Sequence, residues 1–155
     1  MLFLDTSVFV KVYFKEVGSE AIIARSTAPN QALAASVLSF AEVHTAMARK
    51  YRMKEISSTE LSKLRESFER DWDILVSAVE LNLQTMASIP GLLEQYPLKA
   101  ADAIQLSAAL WLKSNMPAGK YSGGGEILEF SASDQILVES ARKCGLVVFN
   151  PEEEI

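Results

Sequence analysis

Asp5, Glu42, Asp102 and Asp134 are the residues whose types and placement could do chemistry. Asp5 ends the apolar run Leu2-Phe3-Leu4 and precedes Thr6-Ser7 and a helical pattern, so a strand delivers its carboxylate to a strand-to-helix turn. Asp134 repeats that placement behind Ile127–Phe130, and Glu42 falls in the first turn of the helix expected after the small apolar stretch Ala32–Val37. Open parallel sheets gather their chemistry at the carboxyl ends of strands. Asp102 is the most informative acid, the only charged side chain from Ala100 to Leu112 on a helix apolar nearly all round. A lone buried carboxylate is costly unless it is paired or metal-bound, and Lys99 is the only cation near it. Ordinary roles compete at each position. Thr6, Ser7 or Ser133 would serve as a helix N-cap, and Asp102 and Asp134 as first-turn acids favoured by the helix dipole. Converging on one pocket, the four acids would form an all-oxygen cluster suited to Mg²⁺ or Mn²⁺, not zinc. Such ions activate a water and stabilise the leaving oxygen of a phosphodiester. Without them, mutual repulsion would keep some of the acids protonated.

The elements that must position these acids alternate between strand and helix. Strands are expected near Leu2–Leu4, Ala34–Val37, Ile127–Phe130 and Leu146–Phe149. Helices are expected over Val8–Phe14, Ser19–Ser26 and Phe40–Met53, the last opened by Ser39 and closed by the cations Arg49, Lys50, Arg52 and Lys54. Ser57-Ser58-Thr59-Glu60 looks like a helix start, and Leu61, Leu64, Phe68 and Trp72 then line one face of a long amphipathic helix. Ile74-Leu75-Val76 fits either a strand or a helix. A further helix is expected over Leu81–Gln95, ended or kinked by Pro90. Ser133–Cys144 is a helix with Gly145 at its C-terminal stop. The pattern predicts an α/β fold, a three-layer α/β/α sandwich around a central parallel sheet. The 155 residues fit a single domain, 1–155, with residues 57–95 as a helical hairpin elaboration within it.

Composition narrows the class. With 49% apolar and 23% charged residues the chain is ordinary for a globular protein, and no apolar run is long enough to span a membrane. No secretory signal is visible, and the single Cys144 has neither a disulfide partner nor a metal-knuckle partner, so a reducing, cytoplasmic setting is expected. The net charge of −5 is uneven. Residues 1–70 hold ten of the fifteen bases against eight acids (+2), and residues 71–155 hold five against twelve (−7). The acidic total argues against tight non-specific nucleic-acid binding, yet a local basic patch such as Arg49–Lys54 could still meet RNA.

Taken together, Leu4-Asp5-Thr6-Ser7, Ser39-Phe40-Ala41-Glu42-Val43, Leu98-Lys99-Ala100-Ala101-Asp102-Ala103-Ile104-Gln105-Leu106, and Ser131-Ala132-Ser133-Asp134 with Gly145-Leu146-Val147-Val148 resemble a PIN domain. The likeness is greatest to the VapC-like toxin ribonucleases of type II toxin–antitoxin pairs. It covers nearly the whole chain, and the acids fall in the family's order. The resemblance implies a Mg²⁺- or Mn²⁺-dependent endoribonuclease. Asp5, Glu42 and Asp102 would be its core acids, Asp134 a more variable fourth, and Thr6 or Ser7 hydrogen-bonding partners in the site. It also implies a homodimer silenced by a small cognate antitoxin. One departure is the loop Ala118–Gly125, longer and richer in glycine than the family pattern.

Other features point less far. His44, the only histidine, stands two residues from Glu42 and so faces another side of the helix. The glycines of Gly119–Gly125 lack the spacing of a phosphate loop. A haloacid-dehalogenase-like phosphatase also starts with an apolar strand ending in Asp, but needs a second Asp where this chain has Ser7. A rival from another class is a non-catalytic module of the same fold that binds RNA or protein with its acids unused. A phosphodiesterase assay with and without EDTA separates the two.

Overall fold

The computed structural model describes residues 1–116 and 127–153. The glycine-rich stretch 118–125 lies outside them. The described chain runs β1 (Leu2–Leu4), α1 (Thr6–Tyr13), α2 (Ser19–Ser26), β2 (Leu33–Ser36), α3 (Val37–Arg52), α4 (Ser58–Leu75), β3 (Val76–Val79), α5 (Ile89–Gln95), α6 (Ala100–Asn115), β4 (Glu129–Ser131), α7 (Gln135–Lys143) and β5 (Val147–Phe149). All five strands pair in parallel in one sheet of order β3-β2-β1-β4-β5. Alternation along each strand sends neighbours to opposite faces. Leu2 and Leu4 pack with Val8, Phe9, Val43, Met47 and Phe68, whereas Phe3 packs with Leu106, Phe130, Leu137 and Val138. Ala34 and Ala35 divide in the same way. Helices α1 to α4 therefore cover one face and α5 to α7 the other, giving the expected three layers.

Several boundaries differ from expectation, each for a visible reason. The chain leaves β2 at Ser36, whose hydroxyl accepts from Leu38 N–H at 3.2 Å, so α3 begins at Val37, before Ser39. Ile74-Leu75 ends α4, and Val76 opens the edge strand β3. The segment 57–95 is thus not two helices alone but contributes a strand to the sheet. The helix expected from Leu81 starts only at Ile89. Before it, the Asn82 side chain accepts from Gln84 and Thr85 N–H, and the Thr85 hydroxyl donates to the Glu80 carbonyl, which holds a turn. Pro90 then falls in the first turn of α5, where a missing N–H costs nothing. Strand β4 begins at Glu129, leaving Ile127 exposed outside it.

An aromatic group of buried Phe9 and Phe68 with partly buried Tyr13, Phe40 and Trp72 seals α4 against α1 and α3. The stretch after β5 folds back over the start of α2. Buried Lys11 pairs with Glu152 at 2.8 Å and donates to the Val17 carbonyl at 3.0 Å. Pro151 lies against Gly18, where a Cβ would stand 2.9 Å from its carbonyl carbon at a backbone φ of +84°. Among the described residues no helix is long and apolar enough to cross a membrane.

Candidate active site

From β1 the chain builds outward to β2 and β3 on one side, and later to β4 and β5 on the other, so the order reverses between β1 and β4. In open α/β sheets the crevice at such a reversal, beyond the strands' carboxyl ends, is where ligands bind. Asp5 follows β1 there, its N–H donating to the Ser131 carbonyl of β4 at 2.9 Å, and Asp134 follows β4.

Asp5 itself caps α1. Its Oδ2 accepts both the N–H of Ser7 at 2.9 Å and the Ser7 hydroxyl at 2.6 Å. The cap is thus the acid, not Thr6 or Ser7. The Ser7 hydroxyl oxygen also accepts from Ser133 N–H at 3.0 Å, tying the loops after β1 and β4 together. Asp134 likewise caps α7 through Oδ1, which accepts from Leu137 N–H at 3.0 Å, so Ser133 is not the cap. Because α3 starts at Val37, Glu42 lies in its second turn, not its first. Its Oε2 receives the Thr6 hydroxyl and the Gln105 side-chain amide, the latter at 3.2 Å. Asp102 stands in the first turn of α6, where its Oδ2 accepts from Lys99 N–H at 3.3 Å. It is partly exposed, not buried: the apolar side of α6 turns inward through Ala103, Leu106 and Ala109, and Asp102 sits at that face's open end.

The acids feel one another. Burial pushes the Asp5 carboxyl up to about 6, against the pull of its two Ser7 hydrogen bonds, and Glu42 and Asp102 push the same way. Burial also raises Asp102, opposed by the Lys99 N–H and reinforced by Asp134 and Glu42. The four acids are scattered along the chain; the fold couples them.

A single pattern runs through the four. Each carboxylate spends one oxygen on donors from the protein, and among the described residues its other oxygen receives none. No three acidic, histidine or cysteine side chains among the described residues already close around a metal position. Such a set fits a hard cation that keeps much of its water and takes one or two carboxylates directly, as Mg²⁺ does.

Two uncharged residues are bonded into the same group as Glu42 and Thr6, and a reading of the sequence assigns them no role. Gln105, one turn beyond Asp102 on α6, is 1% exposed, and Ser39 is buried beside it. Their only trace in the sequence is a polar residue on the inward stripe of an apolar helix. His44 does not join the site. It packs edge-on to Phe40 and Phe68 and lies 3.5 Å from Glu69. Of the four cations at the end of α3, Lys50 is engaged with Glu55 at 3.1 Å and lies over the Phe14 ring, while Arg49, Arg52 and Lys54 are exposed.

The fold is thus a parallel α/β sandwich with coupled carboxylates at its topological switch point. The chain belongs to the PIN domain family, whose model matches residues 2–117. It is similar to two Mycobacterium tuberculosis proteins, ribonuclease VapC45 and ribonuclease VapC49. Each is 32% identical over 113 residues, covering 71% of this chain and 75% of the relative. Its fold matches the crystal structure of VapBC2 from Rickettsia felis bound to a DNA fragment from their promoter, with a TM-score of 0.63, 15% identity, and 97% and 98% of the two chains covered. It also matches FitAcB from Neisseria gonorrhoeae, with a TM-score of 0.64, 16% identity and the same coverage.

Proposed function

We propose that this chain is a divalent-cation-dependent endoribonuclease, the toxin half of a toxin–antitoxin pair, working in the cytoplasm. The observation that carries the reading is the half-satisfied state of Asp5, Glu42, Asp102 and Asp134. Each is held through one oxygen, and among the described residues its other oxygen has no donor, which leaves it available to a cation. RNA as substrate is supported by family membership and by the ribonuclease names of the two relatives.

Asp5, Glu42 and Asp102 would hold Mg²⁺ or Mn²⁺, with Asp134 assisting. When bound, the cation supplies positive charge that activates a water and stabilises the leaving oxygen. The protein's own part is to fix the acids. Ser7 orients Asp5 and favours its charged form, Ser133 orients Ser7, and Thr6 orients Glu42. Water oxygen attacks phosphorus, the bond from phosphorus to the ribose 3′ oxygen breaks, and that oxygen leaves with a proton. The products are a 5′-phosphate and a 3′-hydroxyl, because water and not the 2′-hydroxyl is the nucleophile and the 3′ oxygen is the one that leaves. Arg49, Arg52 and Lys54, with Lys50 held back by Glu55, would grip substrate phosphates beyond the cut. A homodimer and a cognate antitoxin complete the proposal. An antitoxin Arg or Lys reaching Asp5 or Asp102 would take the cation's place.

The test is cleavage of RNA by the purified chain with Mg²⁺, with Mn²⁺ and with EDTA, beside Asp102→Asn. Cleavage should need the cation and leave 5′-phosphates. Asp102→Asn should fold as wild type and lose cation-dependent cleavage. If it cut at the wild-type rate, the mechanism would be wrong.

A further inference from the structure

Gln105 departs from what fold stability alone would place in its position. It is buried on the inward face of α6, among Ala103, Leu106, Ala108 and Ala109, where an apolar side chain would pack at no polar cost. Its Nε2 stands 2.9 Å from Ser39 Oγ, 3.0 Å from Thr6 Oγ1 and 3.2 Å from Glu42 Oε2. Its Oε1 is buried with no partner among the described residues. A half-satisfied buried amide is less favourable than an apolar replacement. Turning the amide over would not help the fold, since Oε1 would then face a carboxylate oxygen that only accepts. The amide therefore leaves its own carbonyl without a donor in order to aim its N–H₂ at Glu42 and at the hydroxyl that also donates to Glu42.

From this we infer that Gln105 is a positioning residue for Glu42. Together with Thr6 it saturates Oε2, fixes the carboxylate plane, and leaves Oε1 turned to the crevice as the oxygen presented to the cation. Ser39 completes the brace by accepting from the same amide, so α1, α3 and α6 are locked at the one point where their acids must agree. Outer partners of this kind typically set cation affinity by ten- to a hundredfold. The inference rests on the cation-dependent reading of the site and deepens it, because it assigns the control of Glu42 to an uncharged residue on another helix.

The test uses Gln105→Met, which keeps length and removes both donors, and Gln105→His, which restores one N–H donor. Calorimetric Mn²⁺ affinity should fall about tenfold or more in Gln105→Met and recover in part in Gln105→His. A purely structural role would instead lower the melting temperature and leave Mn²⁺ affinity unchanged in the folded fraction. Whether or not a variant folds, the wild-type chain gives a direct readout. Mg²⁺ titration should shift the nitrogen-15 and proton resonances of the Gln105 side-chain amide. Wild-type Mn²⁺ affinity in a folded Gln105→Met, or an amide that stays unmoved at saturating Mg²⁺, overturns the proposal while leaving the nuclease reading standing. A wild-type chain that binds neither ion defeats both, and that outcome is read from the wild type alone.

Discussion

Asp5 holds two jobs in one side chain, since the same carboxylate caps α1 and faces the acidic crevice. Its pKa, raised from 3.8 to about 6, fixes the sign of a pH effect. Below 3.8 the carboxyl is protonated in both the folded and the unfolded chain. Between 3.8 and about 6 the folded chain holds the proton more tightly, and above about 6 it must carry a buried charge. The stability from this group is therefore fully present below pH 3.8 and lost as pH rises through about 6. The span corresponds to a loss on the order of 3 kcal/mol. Asp5→Asn keeps an oxygen to accept from Ser7, and Asn caps helices about as well as Asp. Without divalent cations, the variant should be more stable than wild type at pH 7.5, by roughly 1–3 kcal/mol, and equal to it near pH 4. Urea unfolding at the two pH values checks this; a variant less stable than wild type at pH 7.5 would contradict it. Cation affinity of the wild type should weaken as pH drops below about 6, where the proton competes for Asp5.

At the scale of single elements, α3 joins two kinds of chemistry. Glu42 lies in its second turn and Arg49 two turns further on, about 10 Å along the axis. Arg49, Arg52 and Lys54 are exposed, whereas Lys50 is half-buried and already paired. The triple variant Arg49→Gln/Arg52→Gln/Lys54→Gln should weaken RNA binding and lower the slope of log affinity against log salt by about 2, near 0.7 for each single-strand phosphate that is no longer neutralised. An unchanged slope would return these residues to a solvated helix end. The same element shows what a sequence does and does not display. Glu42 is legible because an acid behind a buried strand is conspicuous, yet its turn is easily misplaced because Ser36 and Ser39 both suit an N-cap and only backbone geometry chooses between them. Asp102 stands out as the lone charge on an apolar helix, but Gln105, one turn on, is silent because an uncharged polar residue breaks that pattern too weakly. Strand β3 is obscured because the apolar run Ile74-Leu75-Val76 straddles a helix end and a strand start, and its period fits both.

Over the whole molecule, the large apolar residues of 57–95 mostly complete the core. Phe68, Leu61 and Leu92 are buried, and Leu64 and Trp72 pack against the buried cluster. Outward-facing residues flank the edge strand instead, with Ile74 at 72% and Leu83 at 86% exposure. Isolated exposed apolar residues are common, but two beside an unpaired sheet edge suit a partner surface. Ile74→Asp/Leu83→Asp should leave RNA cleavage within about twofold of wild type, since surface changes away from the site cost little. Light scattering should show a homodimer for wild type, and either that dimer or the complex with the product of the adjacent reading frame should weaken in the variant. Unaltered mass in both states would place the interfaces elsewhere.

The strand order β3-β2-β1-β4-β5 also has a consequence for synthesis on the ribosome. Three of the four acids leave the exit tunnel before the fourth, with β1, α3 and α6. The fourth follows β4, and β4 is the strand that must pair beside β1 at the middle of the sheet. Until residue 131 has emerged, β1 has one neighbour instead of two, and neither the Asp5 N–H nor the Ser7 hydroxyl has its partner from that loop. A nascent chain that has not yet released β4 and its following loop therefore carries three of the acids without the backbone and hydroxyl contacts that tie Asp5 and Ser7 to the fourth.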